Sequence, residues 1–353
     1  MNLKPRATVA VLIATYNRAQ LLGETLDVLA QSQTASRFPW EVIVVDNNST
    51  DDTRAVVTSR QGSYPVPLTY LLETTQGRSA ALNAAIAATT APLLLCTDDD
   101  VRVEPGWLLA GARALEEGAD YVGGPVVPIW ETPPPPWLDL TRGDLWGTIA
   151  ILDYGRESFA FEQRRRVPLG ANMGIRRSLI DRIGGFRADL GRSNGPRLMG
   201  QEVPELLARA RMAHLHGVYA PEMRVHHHIP AARLTKRYYR RWWMGKGYSK
   251  AILDAGQPVT ENGLDLRMVP HLGAVPRFMV SDAVRDVIVL LKSMLTGDAC
   301  EFARREMRLA FLVGYLRSRG LRQRPDYRPT PVRSPSETPV PATGSSTVFT
   351  QYL

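Results

Sequence analysis

Short apolar runs and stretches of helical period alternate through the first 130 residues. Residues 8–14 form an apolar run that reads as a buried strand. Over 18–32, Leu21, Leu22, Leu26 and Leu29 then fall at helical spacing. The run WEVIVV (40–45) is short and β-branched, and a cluster of turn and cap residues follows it before another helical stretch. Residues 68–72 predict a third strand, 78–89 an Ala-rich helix and 92–96 a fourth strand. A helix over 107–118 and a single strand over 121–128 complete the pattern. Strands and helices alternating every 20 to 30 residues or so imply βαβ units, an α/β class and a largely parallel sheet.

Ligands of such sheets bind beyond the carboxyl ends of the strands. Three polar clusters occupy those places: Thr15-Tyr16-Asn17-Arg18, Asp46-Asn47-Asn48 and Asp98-Asp99-Asp100. All three are expected on one sheet edge. Residues 131–167 are irregular and Pro-rich at 133–136. Residues 170–187 predict a Gly-rich turn, a short helix and a Gly-Gly pair, and 202–212 another helix. Aromatic and basic helices are expected from about 231 to 322, and residues 323–353, with six prolines, read as a disordered tail. This divides the chain into 1–230, 231–322 and 323–353.

Composition narrows the class. Hydrophobic residues make up 44% and charged residues 22% of 353, enough for an ordinary buried core. The two cysteines, Cys96 and Cys300, lie far apart, which excludes a disulfide scaffold and a zinc ribbon and fits a reducing cytoplasm. The start of the chain does not read as a secretory signal. The most apolar stretch, 284–295, is cut by Arg285, Asp286 and Lys292, so a spanning helix is not expected. The net charge of +8 calls for an anionic partner. Between residues 223 and 253 there are eight Lys or Arg and no acid, interleaved with Tyr238, Tyr239, Trp242, Trp243 and Tyr248. That mixture favours an anionic membrane surface over nucleic acid, for which no motif is present.

The acidic triplet carries the clearest chemistry. Three adjacent carboxylates at a strand end repel one another unless a divalent cation or a helix N-terminus compensates, and hard oxygens suit Mg²⁺ or Mn²⁺. Asp46 reads as a helix cap or a ribose contact, and Arg78, at a helix start, as a phosphate site or a surface charge. Glu202 and Glu205 share a helical face. By spacing alone they do no more than complement the helix dipole. Of His226, His227 and His228, at most one or two can face a common ligand.

In order, VAVLIATYNRA (9–19), VIVVDNNSTDDT (42–53), QGRSAALNAAIAAT (76–89), CTDDDV (96–101), LGANMGIRRSLIDRIGGF (169–186) and GQEVPELLAR (200–209) resemble the family 2 glycosyltransferases. The resemblance covers about residues 7–250. It implies a GT-A fold, a Rossmann-like sheet with a C-terminal helical extension. It also implies inverting transfer of a sugar from a UDP-, GDP- or dTDP-sugar to a hydroxyl of a glycan or lipid-linked acceptor. By that likeness Thr15 and Asp46 hold base and ribose, with Asn17 beside them, and Arg78 approaches the diphosphate. Asp98 and Asp99 face the donor, Asp98 and Asp100 hold Mn²⁺ or Mg²⁺, His227 contacts metal or phosphate, and Glu202 is the catalytic base. Glu-Asp is common in the family where this chain has Gln201-Glu202, so its base is one methylene longer. The implied enzyme is cytoplasmic or peripheral on the inner membrane face. The competing readings are a non-catalytic nucleotide-sugar-binding protein and a sugar-phosphate nucleotidyltransferase. The second usually carries a Gly-rich loop where this chain has Ala14-Thr15-Tyr16-Asn17.

Overall fold

The computed structural model describes residues 8–32, 38–164, 166–190, 200–256, 259–260, 263–273 and 275–320. The tail expected over 323–353 lies outside them.

The first half winds as its pattern requires, through β1 (Val9–Thr15), α1 (Ala19–Ala30), β2 (Trp40–Asp46), α2 (Thr53–Gln61), β3 (Leu68–Leu72), α3 (Arg78–Ala87) and β4 (Leu93–Asp98). Strands β3, β2, β1 and β4 lie side by side, all parallel. Helices cover both faces of such a sheet, so its strands are apolar almost throughout rather than alternating. Val9 to Ile13 and Val42 to Val45 are accordingly all buried.

Past β4 the chain departs from simple winding. Strand β5 (Val101–Val103) and helix α4 (Trp107–Glu116) lead to β6 (Tyr121–Gly123) and β7 (Val126–Trp130). One strand over 121–128 was expected. Instead the chain breaks at Gly124-Pro125, and its two halves join different sheets. A Cβ on Gly124 would sit 1.9 Å from the Met223 carbonyl oxygen, so only glycine lets the backbones approach closely enough for the switch.

Short elements β8 (Phe159–Ala160) and α5 (Phe161–Arg164) follow. Next come β9 (Asn172–Arg176), α6 (Arg177–Ile183), α7 (Glu202–Met212), β10 (Gly217–Tyr219) and β11 (Val225–Ile229). Strand β9 inserts antiparallel between β4 and β6, giving the order β3-β2-β1-β4-β9-β6-β10-β8 among the described residues. Strand β11 lies between β5 and β7 in a second, three-stranded sheet. The fold is the expected mixed α/β architecture with a mostly parallel central sheet.

The C-terminal part is α8 (Lys236–Gly256), the hairpin β12 (His271–Leu272) and β13 (Val275–Pro276), α9 (Arg277–Thr296) and α10 (Ala299–Gly320). Helices α8 and α10 approach to backbone contact: a Cβ on Gly247 would meet the Phe311 carbonyl, and one on Gly314 that of Met244. This part builds its own hydrophobic cluster, with Tyr239, Trp243, Phe311 and Tyr315 buried against Leu145 and Ile149 from the irregular middle segment. Much of the aromatic content of the basic stretch is therefore core. Lys246 lies over the rings of Trp242 and Trp243, and Lys236 over those of Trp137 and Phe302.

Candidate functional site

The pairing register aligns the three polar clusters. Thr15 pairs with Asp46 across β1 and β2, and Ala14 with Asp98 across β1 and β4, so the strand ends finish level. Loops beyond them are then laced together. Asn17 takes a left-handed conformation (φ 51°), accepts from the Thr50 amide at 2.7 Å and donates its own amide to Ser49 Oγ at 2.9 Å. Asp46 is buried at the end of β2, where it accepts from the Ser49 amide and from the Tyr70 hydroxyl, both at 2.8 Å. Burial and this carboxylate push the Tyr70 phenol up to about 12.

Asn47 sets the next piece. Its side-chain amide donates to the carbonyls of Glu73 and Thr75, and its oxygen accepts from the Gly77 amide at 2.7 Å. That fixes the loop delivering Arg78, the first residue of α3. The Arg78 guanidinium donates to Asp98 Oδ1 at 2.8 Å, to the Gly170 carbonyl at 2.9 Å and to Glu202 Oε1 at 3.2 Å. Asp98 and Glu202, far apart in sequence, thus share one cation. Burial works against the charge of Asp98, yet Arg78 outweighs it and holds the carboxyl below its ordinary range.

The triplet splits. Asp99 turns into the protein, accepting from Thr15 Oγ1 and Arg18 Nη1, each at 2.8 Å, while its backbone carbonyl takes the Thr25 hydroxyl. Burial raises this carboxyl to about 6. Asp99 was expected on the donor face and Thr15 on the base or ribose. In this structure their side chains are bonded to each other.

Asp100 faces the other way, toward β11. Burial opposes its charge, but the His227 ring, Arg18 and Arg233 hold its carboxyl far below the usual range. Arg18 lies 2.8 Å from Oδ2 and Arg233 3.6 Å from it, while His227 Nε2 lies 3.3 Å from Oδ1.

Strand geometry also selects among the histidines. Alternation along β11 buries His227, 2% exposed, and turns His226 out to Glu104 at 3.1 Å. Asp98, Asp100 and His227 each offer a ligand atom within 4.8 Å of the others. Asp100 Oδ1 is buried and forms no well-aligned hydrogen bond, its near neighbour being His227 Nε2 at 3.3 Å, as two ligand atoms of one cation would be arranged. Two carboxylates and one imidazole fit Mn²⁺ or Mg²⁺.

The two glutamates of α7 have different duties. Glu205 is fully buried and bonds Arg209 through both oxygens, at 2.9 and 2.8 Å, and Arg209 also donates to the carbonyls of Ile183, Gly184 and Gly185. That is a structural clamp. Glu202, by contrast, reaches the site through Arg78.

Three partners of this site had no individual site role in the sequence reading: Arg18, named only within its polar cluster, Tyr70, and Arg233, counted only in the basic stretch. Arg18 could have been found from its place three residues past Thr15, whereas Arg233 carries no local signal. A cavity of about 600 Å³ lies elsewhere, at the amino ends of β1 and β4. Its arginines are spent on backbone, Arg177 on the carbonyls of Ile86, Thr89 and Ala91 and Arg176 on those of Leu115, Glu116 and Ala119.

Residues 10–184 match the family model "Glycosyl transferase family 2". The chain belongs to glycosyltransferase family 2. It is 25% identical over 257 residues to a glucosyl-dolichyl phosphate glucuronosyltransferase of Haloferax volcanii, covering 71% of this chain and 78% of that one. It is 29% identical over 280 residues to the succinoglycan biosynthesis protein ExoM of Rhizobium meliloti, covering 77% and 82%. Its fold matches that of a mannosyltransferase from Pyrobaculum calidifontis, solved with GDP-Man and Mn²⁺. The TM-score there is 0.55 at 19% identity, over 89% of this chain and 87% of the other. The family 2 assignment makes the protein an enzyme of glycosyl transfer and sets aside the non-catalytic and nucleotidyltransferase alternatives.

Proposed function

We propose that this glycosyltransferase moves a sugar, with inversion, from a nucleoside diphosphate sugar to a hydroxyl acceptor, assisted by Mn²⁺ or Mg²⁺. The observation that carries this reading is the shared guanidinium of Arg78, which brings Asp98 of the acidic triplet and Glu202 of α7 into one site.

Glu202 is the base. It takes the acceptor proton while the hydroxyl oxygen attacks the anomeric carbon, and the bond from that carbon to the diphosphate oxygen breaks on the opposite face. Arg78 orients Glu202 and stands at the start of α3, where a guanidinium and free amides favour phosphate. Asp46, held by Tyr70 and Ser49, sits where a ribose hydroxyl can be met. Asn17 ties together the loops that would border the nucleotide, and Thr15 and Asp99 brace Arg18. Asp98, Asp100 and His227 would hold the metal, with the imidazole tilting the choice toward Mn²⁺. When bound, that ion offsets the charge building on the leaving diphosphate.

The archaeal relative's name supports a lipid-linked acceptor, the rhizobial one a polysaccharide, and the structural neighbour's ligands support GDP-sugar among the UDP, GDP and dTDP donors. The test is calorimetric titration of a UDP-, GDP- and dTDP-sugar panel, with and without Mn²⁺, on the wild type and on Asp100→Asn. One donor binds in a metal-dependent way, and the substitution weakens it by about tenfold or more. Absence of binding across the panel would sink the proposal.

A further inference from the structure

Helix α9 is inverted. Its acidic side chains turn inward: Asp286 is buried, 2.6 Å from Arg305 and 2.7 Å from Arg308, Asp282 lies 3.4 Å from Arg308, and Ser293 is buried too. Seven of its apolar side chains turn outward. Val280, Val284, Val287, Ile288, Leu291, Met294 and Leu295 are all exposed, Ile288 by 62% and Leu295 by 89%. At about 3.6 residues per turn these seven fall on one stripe roughly a third of the circumference wide. Surface aliphatics scattered singly need no explanation, but a continuous stripe does.

We propose that α9 lies in the interface of an anionic bilayer, its aliphatic stripe dipping among the acyl chains. Charge decides between this and a second copy of the chain. The exposed charges of α9 are all positive: Arg277 at its start, and Arg285 and Lys292, seven residues apart along one border of the stripe. Long basic side chains in that position bury their stems in the apolar layer and place their charge among anionic headgroups. An isologous dimer would instead bring the same cations of both copies along one seam. The stripe is also wider than a coiled-coil seam, since Ile288 and Leu295 stand at flanking positions where such a seam carries charges. Among the described residues no helix is long and apolar enough to cross a membrane, so this one lies along the surface. The β12–β13 hairpin leading into α9 exposes Leu272 as well.

This places the membrane contact on α9 rather than on the basic-aromatic helix α8. Flotation of the full chain with phosphatidylcholine vesicles, with and without roughly 30 mol% phosphatidylglycerol, tests it. The wild type floats with the anionic vesicles. Ile288→Ser with Leu295→Ser lowers the bound fraction at least about tenfold, the least expected from withdrawing two large aliphatic side chains from an apolar phase. Both positions are exposed, so the unfolding midpoint stays in place. Arg285→Gln with Lys292→Gln removes the preference for the anionic lipid. A wild type that floats with neither vesicle, or a serine variant that floats as the wild type does, overturns the proposal. A dimer in light scattering that the serine variant dissociates, with no flotation, assigns the face to a second copy instead. The assay contains no sugar donor, so its failure leaves the catalytic reading standing, and a failed donor titration leaves this one standing.

Discussion

Glu202 and Glu205 sit three residues apart on one helix, and replacing each by glutamine separates chemistry from architecture. Glu202→Gln keeps an oxygen for Arg78 at 3.2 Å and removes only charge and basicity from a partly exposed carboxylate. Its cost in stability is about 1 kcal/mol or less. Loss of a general base lowers kcat by about 10² to 10⁴, or roughly 3 to 5 kcal/mol of barrier, and donor affinity changes little. Glu205→Gln breaks a doubly bonded pair at 0% exposure, leaving the Arg209 charge half-satisfied beside three carbonyls. That costs about 3 kcal/mol, which moves the urea midpoint by about 1 M, while kcat of the folded fraction stays near wild type. The assay is release of nucleoside diphosphate from the donor identified by calorimetry, beside urea titrations of both variants. If Glu202→Gln kept more than about a tenth of wild-type kcat, or if Glu205→Gln lost turnover without losing stability, the division of labour along α7 would be refuted.

Three further outcomes are expected. Asp99 has a folded-state pKa raised to about 6, above the ordinary carboxylate value. Its contribution to stability is therefore full below about pH 4 and is lost as pH rises through about 6. Urea midpoints of metal-free protein should fall over that interval, and Asp99→Asn should flatten the fall. A Cβ at Gly170 would meet Arg78 Nη1 at 2.9 Å and Val203 Cγ2 at 3.0 Å. Gly170→Ala should thus displace the guanidinium, cutting kcat/KM by about tenfold with a change in thermal midpoint of only a few degrees; unchanged kcat/KM counts against the role given to Arg78. Tyr70→Phe removes one of the two bonds that hold Asp46 and should weaken donor binding roughly threefold to tenfold in calorimetry. An unaltered affinity would argue against Asp46 as a donor contact.

The parallel half of the sheet was legible because its inner strands β1, β2 and β4 are buried on both faces. Burial on both sides leaves unbroken apolar runs, and polar residues return only where each strand ends. Register followed, since equal runs that start level also finish level, and so the three polar clusters could be read as one edge. The sequence also determined that the chain carries the parts of a family 2 glycosyltransferase in their proper order. By spacing alone the members of each part are equivalent; the resemblance pointed to His227 and Glu202, and tertiary structure supplies the physical reason. Strand β9 holds a glycine and an arginine in five residues, too weak a local pattern to announce a strand, and only the space between β4 and β6 makes it one. Pairing of β11 with β5 and β7 chose His227 from three identical neighbours. The reach of Arg78 chose Glu202 over Glu205, and the arginines of α10 turned α9 inside out. In each case local spacing leaves two faces equivalent, and a partner distant in sequence breaks the tie.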